Sequence, residues 1–136
     1  MPRIIAIDYG AKRTGLAVTD PLQIIATGLT TIETKDLINF LKKYFIKEEV
    51  ELIIIGEPKN LDDSDTHASE GVRKVIIMLS KEFPAIPIRT VDERFTSKLA
   101  SQAIVQMVLK KKDRRDKKII DQVAATIILQ GYLQSI

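Results

Sequence analysis

The sequence predicts an α/β domain built on a mixed sheet, and three observations predict it. Short apolar runs of strand length open the chain, separated by tight turn chemistry. The apolar period then lengthens to that of an amphipathic helix. From there, strand-like and helix-like segments alternate, the pattern of strands joined by crossover helices. The chain has 136 residues, 45% of them hydrophobic and 29% charged. That is the size and composition of one domain able to bury its own core. No internal repeat or linker interrupts it, so residues 1–136 read as a single domain.

Residues 3–8, 14–19 and about 23–31 read as three strands. "GAKRTG" joins the first two, with Gly10 and Gly15 supplying the turn and Lys12 and Arg13 at its tip. Asp20 and Pro21 join the second to the third. Connections this short favour an antiparallel meander. In "DLINFLKKYFIKEE", Leu37, Leu41, Tyr44 and Phe45 recur at helical spacing, with Thr34 or Asp36 placed as cap. "ELIIIGEP" is a continuous apolar run closed by Gly56 and Pro58, the pattern of a strand covered on both faces. A helix is expected over about 67–82, with Val72, Val75, Ile76 and Leu79 on one face. "FPAIP" breaks the chain before a short strand at 87–91 that ends in charge. Thr96 is placed to cap a helix whose apolar face is Leu99, Ala103 and Met107, and "IIDQVAATIILQGYL" is a last helix. The strands at 51–56 and 87–91 then lie parallel to the first, because each follows a crossover helix. The expected sheet has five strands, three antiparallel and then two parallel, flanked by helices.

Composition removes several function classes. The absence of cysteine excludes disulfides and thiolate metal sites. The single histidine, His67, leaves little basis for a histidine metal cluster or a Ser-His triad. No signal-peptide pattern and no apolar run of about 20 residues is present, so a cytoplasmic protein without membrane contact is expected. The net charge is only +3, but "KKKDRRDKK" (110–118) concentrates seven bases and two acids, leaving the rest of the chain slightly acidic. Lys110, Lys111, Lys112, Arg114 and Arg115 are therefore candidates for contact with a phosphate backbone. The alternative is a solvated loop between two helices.

Carboxylates mark the ends of the predicted strands. Ile4, Ile5, Ala6 and Ile7 run straight into Asp8, an acid that is costly there without a partner. Glu57 follows the fourth strand, and Asp92 and Glu93 end the fifth. In open sheets, sites form beyond the carboxyl ends of parallel strands. Asp121, on the last helix, shares a face with Ala124, Ala125 and Ile128, and small residues there allow the helix close to the sheet. Clustered carboxylates repel unless a cation neutralises them. An oxygen-only ligand set suits Mg²⁺ or Mn²⁺, and such ions support hydrolysis of phosphodiesters. Simpler readings stand beside this one. Asp8 can serve as a turn acid. Asp92 and Glu93 can form a helix-start pair with Arg94 as ion-pair partner, and Asp121 can pair with Lys117 or Lys118. Asp62, Asp63 and Asp65 read as solvated loop and helix-entry acids.

Four blocks, "IDYGAKRTGLAVTD", "GEPKNLD", "VDERFTS" and "KKIIDQVAATIIL", stand in the order and spacing of one family. The chain resembles the YqgF family, also called the RuvX or pre-16S rRNA nuclease family and earlier described as Holliday-junction-resolvase-like. The resemblance spans essentially the whole chain. It implies an RNase H-like fold, to which the predicted order of elements also corresponds. It further implies an Mg²⁺- or Mn²⁺-dependent nuclease trimming the 5′ end of pre-16S rRNA on a precursor of the small ribosomal subunit. By the same resemblance Asp8, Glu93 and Asp121 are the expected catalytic metal ligands, with Asp92 and Glu57 as lesser candidates. Lys12, Arg13, Arg94 and Thr96 occupy motif positions where phosphate contact is expected. Two positions depart from the family's pattern. "GEP" stands where G-L-P is usual, making Glu57 an extra acid, which we read as a solvent-facing substitution, with a fourth ligand as the alternative. "NLDDSD" lacks the glycine of the usual N-x-D-G-S loop, which alters the turn more than the chemistry.

Three other functions share these features. A resolvase acting on branched DNA would use the same acids. A non-catalytic RNA-binding assembly factor would use the basic segment alone. Actin-like and sugar-kinase ATPase lobes also open with D-x-G, but no Gly-rich adenosine motif follows the last strand here. Monomer and homodimer are equally open.

Overall fold

Alternation along one strand organises the fold. In β1 (Arg3–Asp8), Ile5 and Ile7 enter one core cluster, while Ile4 and Ala6 enter a second on the opposite face of the sheet. The computed structural model describes residues 2–57, 67–92 and 117–135, with backbone alone at 57, 67–69, 92, 117–121 and 135. After β1 come β2 (Arg13–Thr19), β3 (Ala26–Glu33), a 3-10 turn (Thr34–Asp36), α1 (Leu37–Lys47) and β4 (Val50–Glu57). Then follow α2 (His67–Glu82) and β5 (Ile88–Asp92), and a further helix, here α3, covers Lys117–Ser135.

The five strands are ordered β3-β2-β1-β4-β5. β1 pairs antiparallel with β2, and β2 with β3, whereas β4 is parallel to β1 and β5 to β4. This is the predicted mixed sheet. On one face α1 and α2 bring Leu37, Leu41, Val72, Val75 and Leu79 against Ile5, Ile7, Leu16, Ile53 and Ile55. On the other, α3 brings Ala125, Ile128 and Leu129 against Ile4, Ala6, Ala17, Leu52 and Ile54. β4 is thus covered on both sides, as its unbroken apolar run requires. Each fully buried Ile or Leu in these layers contributes about 1.5–3 kcal/mol relative to exposure. Ala6, Ala17 and Ala125 are all fully buried in the layer where α3 meets the sheet, among the larger Ile4, Leu52, Ile54, Ile128 and Leu129. Between α1 and α2, the rings of Phe45 and Phe83 meet edge-on with centroids 4.9 Å apart. No helix among the described residues is long and apolar enough to cross a membrane.

Three local expectations are corrected. The third strand begins at Ala26 rather than about 23, because a turn consumes the residues before it. The Asp20 carboxylate accepts the Ile24 and Ile25 N–H groups at 2.8 Å each, and Leu22 N–H at 3.3 Å. Gln23 sits within that turn at φ 59°, in the left-handed region. The first helix is not capped as expected. Asp36 occupies the N-cap position without a side-chain capping bond, and Thr34 lies in the preceding 3-10 turn. The last helix starts at Lys117, inside the basic segment rather than after it. The helix expected after Thr96 lies outside the described residues.

Candidate active site

The carboxyl ends of β1, β4 and β5 form one edge of the sheet. Ile7 is level with Ile55, and Glu57 with Asp92, so Asp8 ends its strand in the same row as Gly56, Glu57 and Asp92. Asp8 is half-buried and shares the β1 alternation of Ile4 and Ala6, which places it on the face that α3 covers. Its partner across β2 is Gly15. Gly15 therefore belongs to the strand and not to the turn, and it puts no side chain beside Asp8 on that face.

Gly10 is the glycine the turn requires. A Cβ there would stand 2.4 Å from the Arg13 carbonyl oxygen, a clash with backbone that no side-chain movement can relieve. Thr34 ties the turn from outside. It donates its hydroxyl to the Gly10 carbonyl at 2.6 Å and its N–H to the Lys12 carbonyl at 2.9 Å. Lys12 is exposed and Arg13 half-buried on this turn. Tyr9, directly after Asp8, packs on the first turns of α2. A Cβ at Gly71 would lie 2.8 Å from its Cε1 atom, so glycine is what admits the ring. Sequence reasoning missed Tyr9, Thr34 and Thr14, since their partners are remote in the chain. The only signal was a run of threonines, "TTIET", with no obvious purpose on a strand edge.

Position 121 lies one helical turn before Ala125 and two before Ile128 and Leu129, the buried stripe of α3. Glu93, Arg94, Thr96, Lys110, Lys111, Lys112, Arg114 and Arg115 lie outside the described residues, as do Asp62, Asp63 and Asp65. Glu57 and Asp92 are placed by their backbones only. Among the described residues no group of three or more His, Cys, Asp or Glu side chains forms a metal cluster. The donor chemistry nonetheless fits a hard divalent cation. Asp8 offers carboxylate oxygen at the sheet edge, on the face that α3 covers.

A five-stranded sheet in the order β3-β2-β1-β4-β5, its two faces covered by helices, defines the RNase H-like class of fold. The fold matches T. thermophilus RuvC in complex with a Holliday junction substrate, with a TM-score of 0.62 over 99% of this chain and 96% of that one at 12% identity. It also matches the Fowlpox virus resolvase, solved with Holliday junction DNA, with a TM-score of 0.58 over 98% and 97% at 12% identity. At such identities the likeness is one of fold. The chain belongs to the RuvX family, described as Holliday junction resolvase, whose family model matches residues 2–135. Among its relatives, a Christiangramia forsetii protein is 51% identical over 133 residues, covering 98% of each chain. One from Phocaeicola vulgatus is 53% identical over 135 residues, covering 99% of this chain and 97% of its own. Both carry the name "Putative pre-16S rRNA nuclease".

Proposed function

We propose that this chain is a divalent-metal-dependent nuclease that hydrolyses phosphodiesters, its task being 5′-end processing of pre-16S rRNA in the cytoplasm. The observation that carries the reading is Asp8. An acid closes the central strand on the α3 side of the sheet, in a chain whose relatives bear that nuclease name. Asp8, Glu93 and Asp121 would hold Mg²⁺ or Mn²⁺. A bound ion of this kind supplies Lewis-acid polarisation of a phosphoryl oxygen and a lowered pKa for water. The chain's own residues do the rest. Lys12 offers an ammonium group from a turn that Thr34 holds in place. Arg13, Arg94 and Thr96 add phosphate contacts, and Lys110 to Arg115 draw in the backbone at longer range.

A second reading, cleavage of branched DNA, is favoured by the family's description as a Holliday junction resolvase. The test offers both substrates to purified protein with Mn²⁺ or Mg²⁺: a 5′-extended 16S rRNA fragment and a four-way DNA junction. The proposal expects cleavage of the RNA, abolished by chelator and by Asp8→Asn with the melting temperature retained. Preferential cleavage of the junction, by a dimer in solution, establishes the second reading. Binding of the RNA without cleavage under any divalent ion makes the chain an assembly factor and ends the nuclease proposal.

A further inference from the structure

The β1–β2 turn is stapled by a residue that follows β3. Thr34 Oγ1 donates to the Gly10 carbonyl at 2.6 Å and lies 2.8 Å from Thr14 Oγ1. A hydroxyl has one proton, and the Thr34 proton is committed to Gly10, so Thr14 is the donor in the second bond. The chain of bonds runs from the Thr14 hydroxyl to the Thr34 hydroxyl to the Gly10 carbonyl, each polarising the next. Thr14 is fully buried, which keeps this relay out of water. The Thr34 N–H separately holds the Lys12 carbonyl at 2.9 Å. Entry, tip and exit of the turn are thus each bonded to the same residue. A Cβ added at Gly10 would stand only 2.4 Å from the Arg13 carbonyl oxygen, so the turn leaves no room there for a side chain. Lys12 rides exposed on it, four residues after Asp8.

We infer that Thr34 is a positioning residue for substrate binding: through its hydroxyl it fixes the turn from which Lys12 meets a substrate phosphate. The inference rests on the proposed role of Lys12. Thr34→Val keeps the side-chain shape and the N–H bond to Lys12 and removes only the relay. The turn then gains conformations in which the ammonium group is misplaced and its phosphate contact is lost from the complex.

The test measures dissociation constants of a fluorescein-labelled hairpin RNA by anisotropy across a salt series, with full-length protein of verified melting behaviour. Thr34→Val is expected to weaken binding about five- to tenfold. It should also flatten the salt dependence by about one unit of slope, as loss of one phosphate contact does. Thr34→Ser, which keeps the hydroxyl, should bind like wild type. In a Lys12→Ala background Thr34→Val should add nothing, because both act through one contact. If Thr34→Val does not fold, Thr14→Val removes the bond that supports the Thr34 hydroxyl, leaves the Thr34–Gly10 bond in place, and should give smaller shifts in the same two directions; no shift in either quantity there overturns the inference. A lower melting temperature with unchanged affinity and salt slope makes Thr34 a purely structural residue and overturns the inference. If Lys12→Ala weakens binding while Thr34→Val does not, the inference alone fails. If Lys12→Ala changes neither quantity, the role of Lys12 falls and the inference with it.

Discussion

Replacing Gly10 by alanine puts the geometry of the turn to a direct test. The new Cβ would stand 2.4 Å from the Arg13 carbonyl oxygen, closer than carbon and oxygen tolerate. Relief requires the two backbone segments to part by close to an ångström. They cannot do so freely, because Thr34 holds both the Gly10 and Lys12 carbonyls and Arg13 is paired with Glu33 in the sheet. Breaking one such bond costs about 0.5–1.5 kcal/mol net, and about 1–3 kcal/mol where a buried partner is left unsatisfied. Alanine's narrower unfolded ensemble returns about 0.4–1 kcal/mol. With a buried partner left unsatisfied, the balance is a loss of up to about 2.5 kcal/mol. A chain of this length unfolds with an entropy of about 0.3 kcal/mol/K, so the melting temperature should fall by up to about 9 °C. Circular-dichroism melts supply the measurement, with Gly28→Ala as the control. There the nearest atoms, Gln122 Cβ and Oε1, lie at an ordinary 3.4 Å, so little change or a slight gain is expected. If Gly10→Ala melts at or above wild type, or if Gly28→Ala costs as much, close approach is not what position 10 demands.

Other expectations follow from the same structure. Ile53 is fully buried in a strand covered on both faces, and Ile53→Ala should cost about 2–5 kcal/mol in urea unfolding; a loss under 1 kcal/mol would contradict the two-layer core. Lys42 and Glu82 pair across α1 and α2 at 3.1 Å, yet both are well exposed, so Lys42→Ala should change stability by less than about 1 kcal/mol. The Asp20 carboxyl is held below its ordinary 3.8, chiefly by the Ile25 N–H, with Ile24 and Leu22 adding to it against a desolvation effect that raises it. Its folded pKa being depressed, the stabilisation is present above about pH 4 and is lost as pH falls through the folded value. An NMR titration should place the Asp20 midpoint below 3.8, and a midpoint at or above that value would mean the turn's hydrogen bonds do not persist in solution.

The layers of this fold are written plainly in the chain because burial leaves a periodic mark. The run Leu52–Ile55 can only belong to a doubly covered strand, and the spacing of Val72, Val75 and Leu79 gives α2 its observed limits. The same rule misled at 23–25. Ile24 and Ile25 look like the start of a strand, yet they are 63% and 61% exposed in a turn that Asp20 dictates. One carboxylate capturing three N–H groups outweighs local aliphatic character, and composition carries no sign of that. For the site, Asp8 was legible because charge interrupts an apolar run. Gly15 was misassigned because a glycine in a strand and a glycine in a turn look alike in sequence. The Thr34 staple and the Tyr9–Gly71 contact join segments that are 24 and 62 positions apart, a relation only the folded chain displays.

The three buried alanines in the layer between α3 and the sheet have a mechanical meaning. Larger side chains at such a junction have torsions that rotate to absorb a displacement. Ala6, Ala17 and Ala125 have none. Where these alanines lie, the spacing of α3 over the sheet cannot be adjusted by rotation, and only larger neighbours such as Ile4, Leu52, Ile54, Ile128 and Leu129 can take up a shift of the helix. If Asp121 is a ligand as proposed, the turn of α3 that carries it inherits the tolerance of the alanine one turn on. An alanine that touches no substrate can thus fix the gauge of a site, and its enlargement would be read out as misalignment before it was read out as unfolding.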